Sequence, residues 1–331
     1  MKIKPGYDVN AGRLKMKQFT IFMMLLMVLT ACGSDEDILP YIAPVKTTEA
    51  VRSEYADSPI YRRHKDAPVK ILAIGNSFTE NATSHMAWMS DVLNGDSICV
   101  TKLTHNGCSL AQHWSFHVND SPEYKFYYTD AGRWVLSEIN KLDDALELFD
   151  WDIIVIQQAS GESGMYASYQ PYLDNLVELF RATNPNAKIA WHYTWPYRAG
   201  TEHPYFPNYN CDPLTMYEAI LEAGDQASAR VDLSIPAATL VREMRKEYPE
   251  VENGFSTDGY HISDEMALFA LSTLWYECLV APCLGTSSIN PPAYPVKVDP
   301  EYFKRARNII IRMMGYEEEP EEPDSVPMIK C

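Results

Sequence analysis

Val69-Lys70-Ile71-Leu72-Ala73-Ile74-Gly75-Asn76-Ser77-Phe78-Thr79 is an apolar run that stops at a glycine and opens onto a short polar turn. Val69 to Ile74 reads as a buried strand ended by Gly75. A helix is expected shortly after it, from near Asn81 to Leu93, with Met86, Met89 and Leu93 on one face. Ser77 therefore sits in a strand-to-helix turn.

The same alternation continues outward. Ile98 to Leu103 is a second strand candidate, ended by Asn106-Gly107, and Asp152 to Ile156 is a third, apolar on both faces as a central parallel strand is. Between them Trp134 to Phe149 has helical spacing. Tyr169 to Thr183 reads as a helix, Lys188 to His192 as a fourth strand, Pro213 to Ala227 as a helix, Val231 to Ile235 as a short fifth strand and Ser263 to Val280 as a last helix. Strands alternating with helices of about 10 to 15 residues imply a parallel sheet covered on both faces, so the fold class is α/β. Sites in such sheets form beyond the carboxyl ends of the strands. The segment from Trp195 to Asn210, rich in Pro, Tyr and His, interrupts the pattern and is a candidate substrate-facing loop.

Composition fits one catalytic domain. Of 331 residues, 46% are hydrophobic and 22% charged, the balance of a chain able to bury a core. The formal charge of -17 disfavours nucleic acid and anionic lipid surfaces as partners. Much of the excess lies in Glu317, Glu318, Glu319, Glu321, Glu322 and Asp324, so residues 316–331 read as a solvated acidic tail.

At the other end, Lys15 and Lys17 precede the apolar run Phe19 to Leu29 and then Leu29-Thr30-Ala31-Cys32. A run of that length ending in small residues before a cysteine is a secretory leader rather than a membrane span. The tetrapeptide resembles the bacterial lipobox, which implies acylation of Cys32 and a leader over residues 1–31, with Met16 as initiator. Gly33-Ser34-Asp35-Glu36-Asp37 resembles the signal that carries Bacteroidetes lipoproteins to the outer face of the outer membrane; a flexible acidic tether is the other reading. Either way the protein is expected outside the cytoplasm, with residues 32–66 as tether and 67–315 as the folded domain. The other six of the seven cysteines select no disulfide pairing by their spacing, and no CxxC metal pattern occurs.

Two elements carry chemistry. A serine in the Gly75-Asn76-Ser77 turn is exposed at the sheet edge, with its own N–H near a helix N-terminus; alone, such a turn is more often a structural cap. In Asp258-Gly259-Tyr260-His261, a spacing of three lets the carboxylate reach one imidazole nitrogen while the other faces a nucleophile.

Together they resemble the SGNH, or GDSL-like, hydrolase superfamily. Ser77 matches the nucleophile of its first block, with Asn76 in place of the usual aspartate, and Asp258 and His261 match the D-x-x-H of its last. Asn106-Gly107-Cys108-Ser109 resembles the second block, whose glycine N–H donates to the oxyanion. The third block, G-x-N-D in the superfamily, is replaced by Gln157-Gln158-Ala159-Ser160-Gly161, as in a Bacteroidetes-rich subgroup with G-N-S-F first blocks. The resemblance implies a flavodoxin-like three-layer α/β/α sandwich, a Ser77-His261-Asp258 triad, and an oxyanion hole from Ser77, Gly107 and, as replacement donor, Gln158. It requires no metal or organic cofactor.

His105, His113 and His117 match no metal-ligand spacing. Trp191, Tyr193, Trp195 and Tyr197 alternate from a strand into a loop and serve either sugar stacking or core packing. The reading is a lipid-anchored serine esterase, acting on acylated carbohydrate, with O-acetyl groups as the favoured target. A surface glycan-binding lipoprotein without catalysis and a sugar O-acyltransferase are its rivals.

Overall fold

The central strands are apolar on both faces, so they require cover on both sides, and the chain supplies it. In the computed structural model, residues 57–317 are described; the leader, Cys32, most of the tether and nearly all of the acidic tail lie outside them. A seven-stranded sheet runs in the order β4-β3-β2-β1-β5-β6-β7. Its strands are β1 (Lys70–Gly75), β2 (Cys99–Thr104), β3 (Lys125–Asp130), β4 (Arg133–Ser137), β5 (Ile153–Ile156), β6 (Lys188–His192) and β7 (Leu233–Ile235). β1 pairs in parallel with β2 through Ile71↔Val100 and with β5 through Ile71↔Ile153, and β5, β6 and β7 continue the parallel series.

The helices are α1 (Pro59–His64), α2 (Ser77–Ala82), α3 (Met86–Asn94), α4 (Leu110–Val118), α5 (Leu142–Glu147), α6 (Tyr172–Thr183), α7 (Pro213–Ser228), α8 (Ala237–Glu247), α9 (Glu265–Leu279), α10 (Ala281–Leu284) and α11 (Pro300–Met314). Two mutually packed groups, α4 with α5 and α6, and α9 with α2, α3, α8 and α11, flank the sheet. The result is the expected three-layer α/β architecture. Ile71, Leu72, Ala73 and Ile74 have no exposed surface, as a strand between two helical layers requires.

Three details differ from the sequence reading. Lys125 to Ser137 forms an antiparallel hairpin on the edge of the sheet, so the expected helix from Trp134 to Phe149 is a strand followed by α5. Ala131 and Gly132 turn that hairpin with φ of 47° and 72°, the left-handed pair a tight strand reversal needs. The helix expected over 81–93 is two helices, broken at Thr83. The fold also begins before residue 67: Ser58 caps α1, Ile60 is buried in the core, and His64 Nε2 pairs with the Thr129 carbonyl at 2.7 Å.

Chain direction changes across the sheet at β1. From β1 the chain moves outward to β2 on one side and later resumes at β5 on the other. Loops leaving β1 and β5 therefore part at a switch point, where open α/β sheets leave a crevice. Ser77 follows β1 and Gln157 follows β5.

Candidate active site

Gly75 ends β1 with no side chain, and the reason is local. A Cβ there would lie 2.1 Å from Thr79 Oγ1, so only glycine lets the first turn of α2 sit directly on the strand end. Asn76 caps that turn: its Oδ1 accepts the Phe78 N–H at 3.0 Å. Ser77 is thereby the first residue of α2, where a backbone N–H has no acceptor within the helix.

Ser77 Oγ lies 2.7 Å from His261 Nε2, and His261 Nδ1 lies 2.7 Å from Asp258 Oδ2. A carboxylate only accepts, so Nδ1 carries the imidazole proton, and Nε2 is left to accept from the serine hydroxyl. The other carboxylate oxygen, Asp258 Oδ1, accepts the Tyr260 N–H at 3.0 Å and the His261 N–H at 2.9 Å. Partial burial disfavours the charged form of Asp258, but those two amides and the imidazole outweigh it and hold the carboxyl below its ordinary range. It stays ionised where a base must be supported.

The turn carrying Asp258 and His261 is fixed from three sides. Gly259 adopts φ of 93°, and a Cβ there would be 2.0 Å from Thr201 Oγ1. The Arg198 N–H donates to the Gly259 carbonyl at 2.7 Å, and the indole N–H of fully buried Trp195 donates to the Tyr260 carbonyl at 2.7 Å. Asn81, one turn along α2 from the serine, accepts the Ile262 N–H at 3.1 Å. Serine and histidine are thus held by one connected framework, although they are 184 residues apart in the chain.

The third block departs from expectation. Gln157 and Gln158 are both fully buried, and they point to different partners. Gln157 Nε2 donates to Asn76 Oδ1 at 2.7 Å, while its Oε1 accepts from Thr79 Oγ1 at 2.8 Å and from His192 Nδ1 at 2.7 Å. Asn76 Nδ2 in turn donates to the Cys108 carbonyl at 3.0 Å, so one asparagine ties the first block to the second and third. An aspartate at 76 has no proton to give that carbonyl, which is a physical reason for asparagine here.

Gln158 does not fill the place assigned to it as an oxyanion donor. Its Oε1 accepts the Leu110 and Ala159 N–H groups at 2.9 and 2.8 Å, which fixes the orientation of the amide. Its Nε2 is committed to the Ser168 hydroxyl and carbonyl at 3.0 and 3.4 Å. Gly107, in the second block, sits in an exposed turn at φ of 65°, and among the described residues its N–H has no acceptor.

Nothing in the sequence singled out Asn76, Thr79, Gln157 and His192 as one network. The pairing of β5 with β1 on one side and with β6 on the other brings them together.

Trp191, Tyr193, Trp195 and Tyr197 are all buried and form part of the core, so of their two expected roles core packing is the one they serve. Tyr260 is part-exposed with its ring centroid 4.4 Å from that of His261; His203 lies 4.9 Å from Tyr260, and Tyr205, 40% exposed, lies 5.9 Å from His203. Burial and then the neighbouring charge of His261 lower the His203 pKa, favouring the neutral ring. His105, His113 and His117 go to the Glu123 carbonyl, the Tyr124 hydroxyl and the Asp143 carboxylate. Among the described residues no group of three metal-ligating side chains converges, no helix is long and apolar enough to cross a membrane, and the five cysteines are free.

Among solved structures, a DUF4886 protein from Bacteroides uniformis is 26% identical with a TM-score of 0.67, covering 75% of this chain and 95% of its own. A candidate SGNH hydrolase from Slackia heliotrinireducens is 22% identical (TM-score 0.42; 63% and 98% covered), and the acetylxylan esterase Axe2 from Geobacillus stearothermophilus is 12% identical (TM-score 0.40; 64% and 94% covered). No curated protein matches the chain. A family model described as a domain of unknown function, DUF4886, matches residues 70–309, from the first strand to the last helix, and the chain belongs to that family.

Proposed function

We propose that the protein is a serine esterase that removes acyl groups, O-acetyl in the first instance, from carbohydrate. The observation that carries this reading is the unbroken pair of 2.7 Å contacts from Ser77 Oγ through His261 to Asp258. Ser77 Oγ attacks the ester carbonyl carbon as its proton passes to His261 Nε2, and Asp258 stabilises the imidazolium. The tetrahedral adduct expels the sugar oxygen, which takes that proton. Water then attacks the acyl-serine, giving its proton to Nε2; the acid leaves and Ser77 regains the proton. Donors for the oxyanion are the N–H groups of Ser77 and Gly107, with Gln158 set aside by its commitment to Ser168.

Carbohydrate as the substrate rests on the rim. Tyr260, His203 and Tyr205 offer ring faces beside the base, and flat pyranose faces pack on such rings. The same reading keeps Cys32 as the lipid attachment site and the cell surface as the location, where polymeric glycans are met.

A fluorophosphonate probe tests the core of the proposal. It should label the wild-type protein at Ser77, and Ser77→Ala should lose both labelling and turnover of a small acetyl ester while staying folded. An unlabelled wild type would leave a glycan-binding protein without catalysis. Product analysis with and without an acceptor sugar separates hydrolysis from acyl transfer.

A further inference from the structure

The Asp258 side chain is 38% exposed, so packing alone does not set the direction of its two oxygens. Two residues earlier, Ser256 has no exposed surface. Its Oγ accepts the Gly259 N–H at 2.8 Å and lies 3.2 Å from Asp258 Oδ1. An ionised carboxylate has no proton to give, so in that contact the serine hydroxyl donates. Among the described residues the hydroxyl has no other acceptor.

The backbone before Ser256 is built to deliver that hydroxyl. Gly254 and Phe255 take φ of 55° and 66°, and the second is a conformation that a bulky residue rarely adopts. It is held there from both sides. Asn253 Oδ1 accepts the Phe255 N–H at 3.0 Å, the Asn253 carbonyl accepts the Ser256 N–H at 3.1 Å, and the Phe255 ring is buried. Ser263 closes the turn: its N–H donates to the Phe255 carbonyl at 2.9 Å, and its Oγ accepts the Thr257 N–H at 3.2 Å.

We propose that Ser256 is a positioning residue for the reaction, whose hydroxyl holds Asp258 Oδ1 so that Oδ2 meets His261 Nδ1. With the Tyr260 and His261 amides, Oδ1 collects three donors, and Oδ2 is left for the imidazole at 2.7 Å. A hydrogen bond to an ionised acceptor is stronger than one between neutral groups, so the buried hydroxyl restrains a side chain that water would otherwise loosen. Ser256 acts only through Asp258. Its effect on rate rests on the esterase reading; its hold on the carboxylate does not.

Ser256→Ala should lower kcat for a small acetyl ester about tenfold with KM unchanged, the size of one lost hydrogen bond to a charged group. The alanine also strands the Gly259 N–H, so a double-mutant cycle is needed to separate support of Asp258 from support of the fold. Ser256→Ala should slow fluorophosphonate labelling of Ser77 in the wild-type background and slow it no further in an Asp258→Ala background. An equal fractional loss in both backgrounds overturns the proposal. A second readout needs no turnover: the His261 Nδ1 proton, held by a carboxylate, gives a proton NMR signal downfield of the amides that Asp258→Ala should remove. Ser256→Ala should shift that signal or lose it to exchange with water, while the amide spectrum stays that of a folded protein. An unchanged signal, or none in the wild type, overturns the proposal. If the alanine variant does not fold, Ser256→Cys, a weaker donor of similar shape, carries the same expectations. A wild type that is neither labelled nor active, but whose signal depends on Ser256, would overturn the esterase reading and leave the hold on Asp258 standing.

Discussion

The Gln157 side chain donates to Asn76 Oδ1 at 2.7 Å, which places the residue leaving β5 directly beneath the residue that precedes Ser77. Gln157 also accepts from Thr79 and His192, so one buried amide links both Asn76 and Thr79, on either side of Ser77, to the neighbouring strand β6. Removing it strands the Thr79 hydroxyl and His192 Nδ1 and takes one of two donors from Asn76 Oδ1.

Gln157→Ala should therefore lower the unfolding free energy by about 2 to 4 kcal/mol and reduce kcat as well, because Ser77 loses the floor beneath its turn. Gln158→Ala, which strands the Leu110 and Ala159 amides and Ser168, should cost comparable stability by chemical denaturation. A loss in kcat for Gln158→Ala with no change in stability or KM would return that residue to the oxyanion hole.

Asp258→Asn should lower kcat by about a thousandfold or more, and the geometry says why. Two backbone amides already claim Oδ1. An asparagine that keeps its oxygen there must turn its NH2 towards His261 Nδ1, which forces the proton onto Nε2 and removes the base that faces Ser77. Labelling and ester turnover measured together should fall in parallel. A variant within tenfold of wild type would mean that another group orients the histidine.

Much of this was legible in the sequence for identifiable reasons. The five parallel strands are short apolar runs closed by turn residues, and a spacing of three in a turn lets Asp258 reach His261. The edge hairpin was less legible because β4 is largely part-exposed and its pattern, Arg133 to Ser137, runs on without a break into the apolar residues of α5. α11 is marked in the sequence by Asp299 as cap, Pro300 at its first position and Gly315 after its end. Gln157 and Gln158 could not be told apart from sequence. Successive residues leaving a strand face opposite ways, and which one meets Asn76 is decided by the register of β5 against β1.

Cys32→Ala should move the protein from the membrane fraction to the soluble one, since the reading of the leader makes the acylated cysteine its anchor and the described domain holds no helix able to span a bilayer. Fractionation of cells expressing both forms checks it. Continued membrane association of the variant would mean that residues 1–31 persist as an uncleaved anchor.

Acid should unfold the protein through its buried histidines. His192 and His113 have no exposed surface, their Nε2 atoms have no partner, and burial pushes both pKa values down to about 3. In the unfolded chain they titrate near the ordinary value of about 6.5. Between these limits the unfolded state binds a proton that the folded state refuses. Stability therefore rises with pH across this window, and the contribution is complete above about 6.5. As pH falls below that point each histidine should remove up to about 1.4 kcal/mol per pH unit. Urea denaturation at a series of pH values from 7 to 4 measures the slope. His192→Asn retains an N–H near the position of Nδ1 for Gln157 but does not titrate, so it should flatten the slope by one histidine's share whatever its baseline stability. An unchanged slope would mean that His192 is solvated or protonated in the folded protein, and that Gln157 then faces an imidazolium rather than a neutral ring.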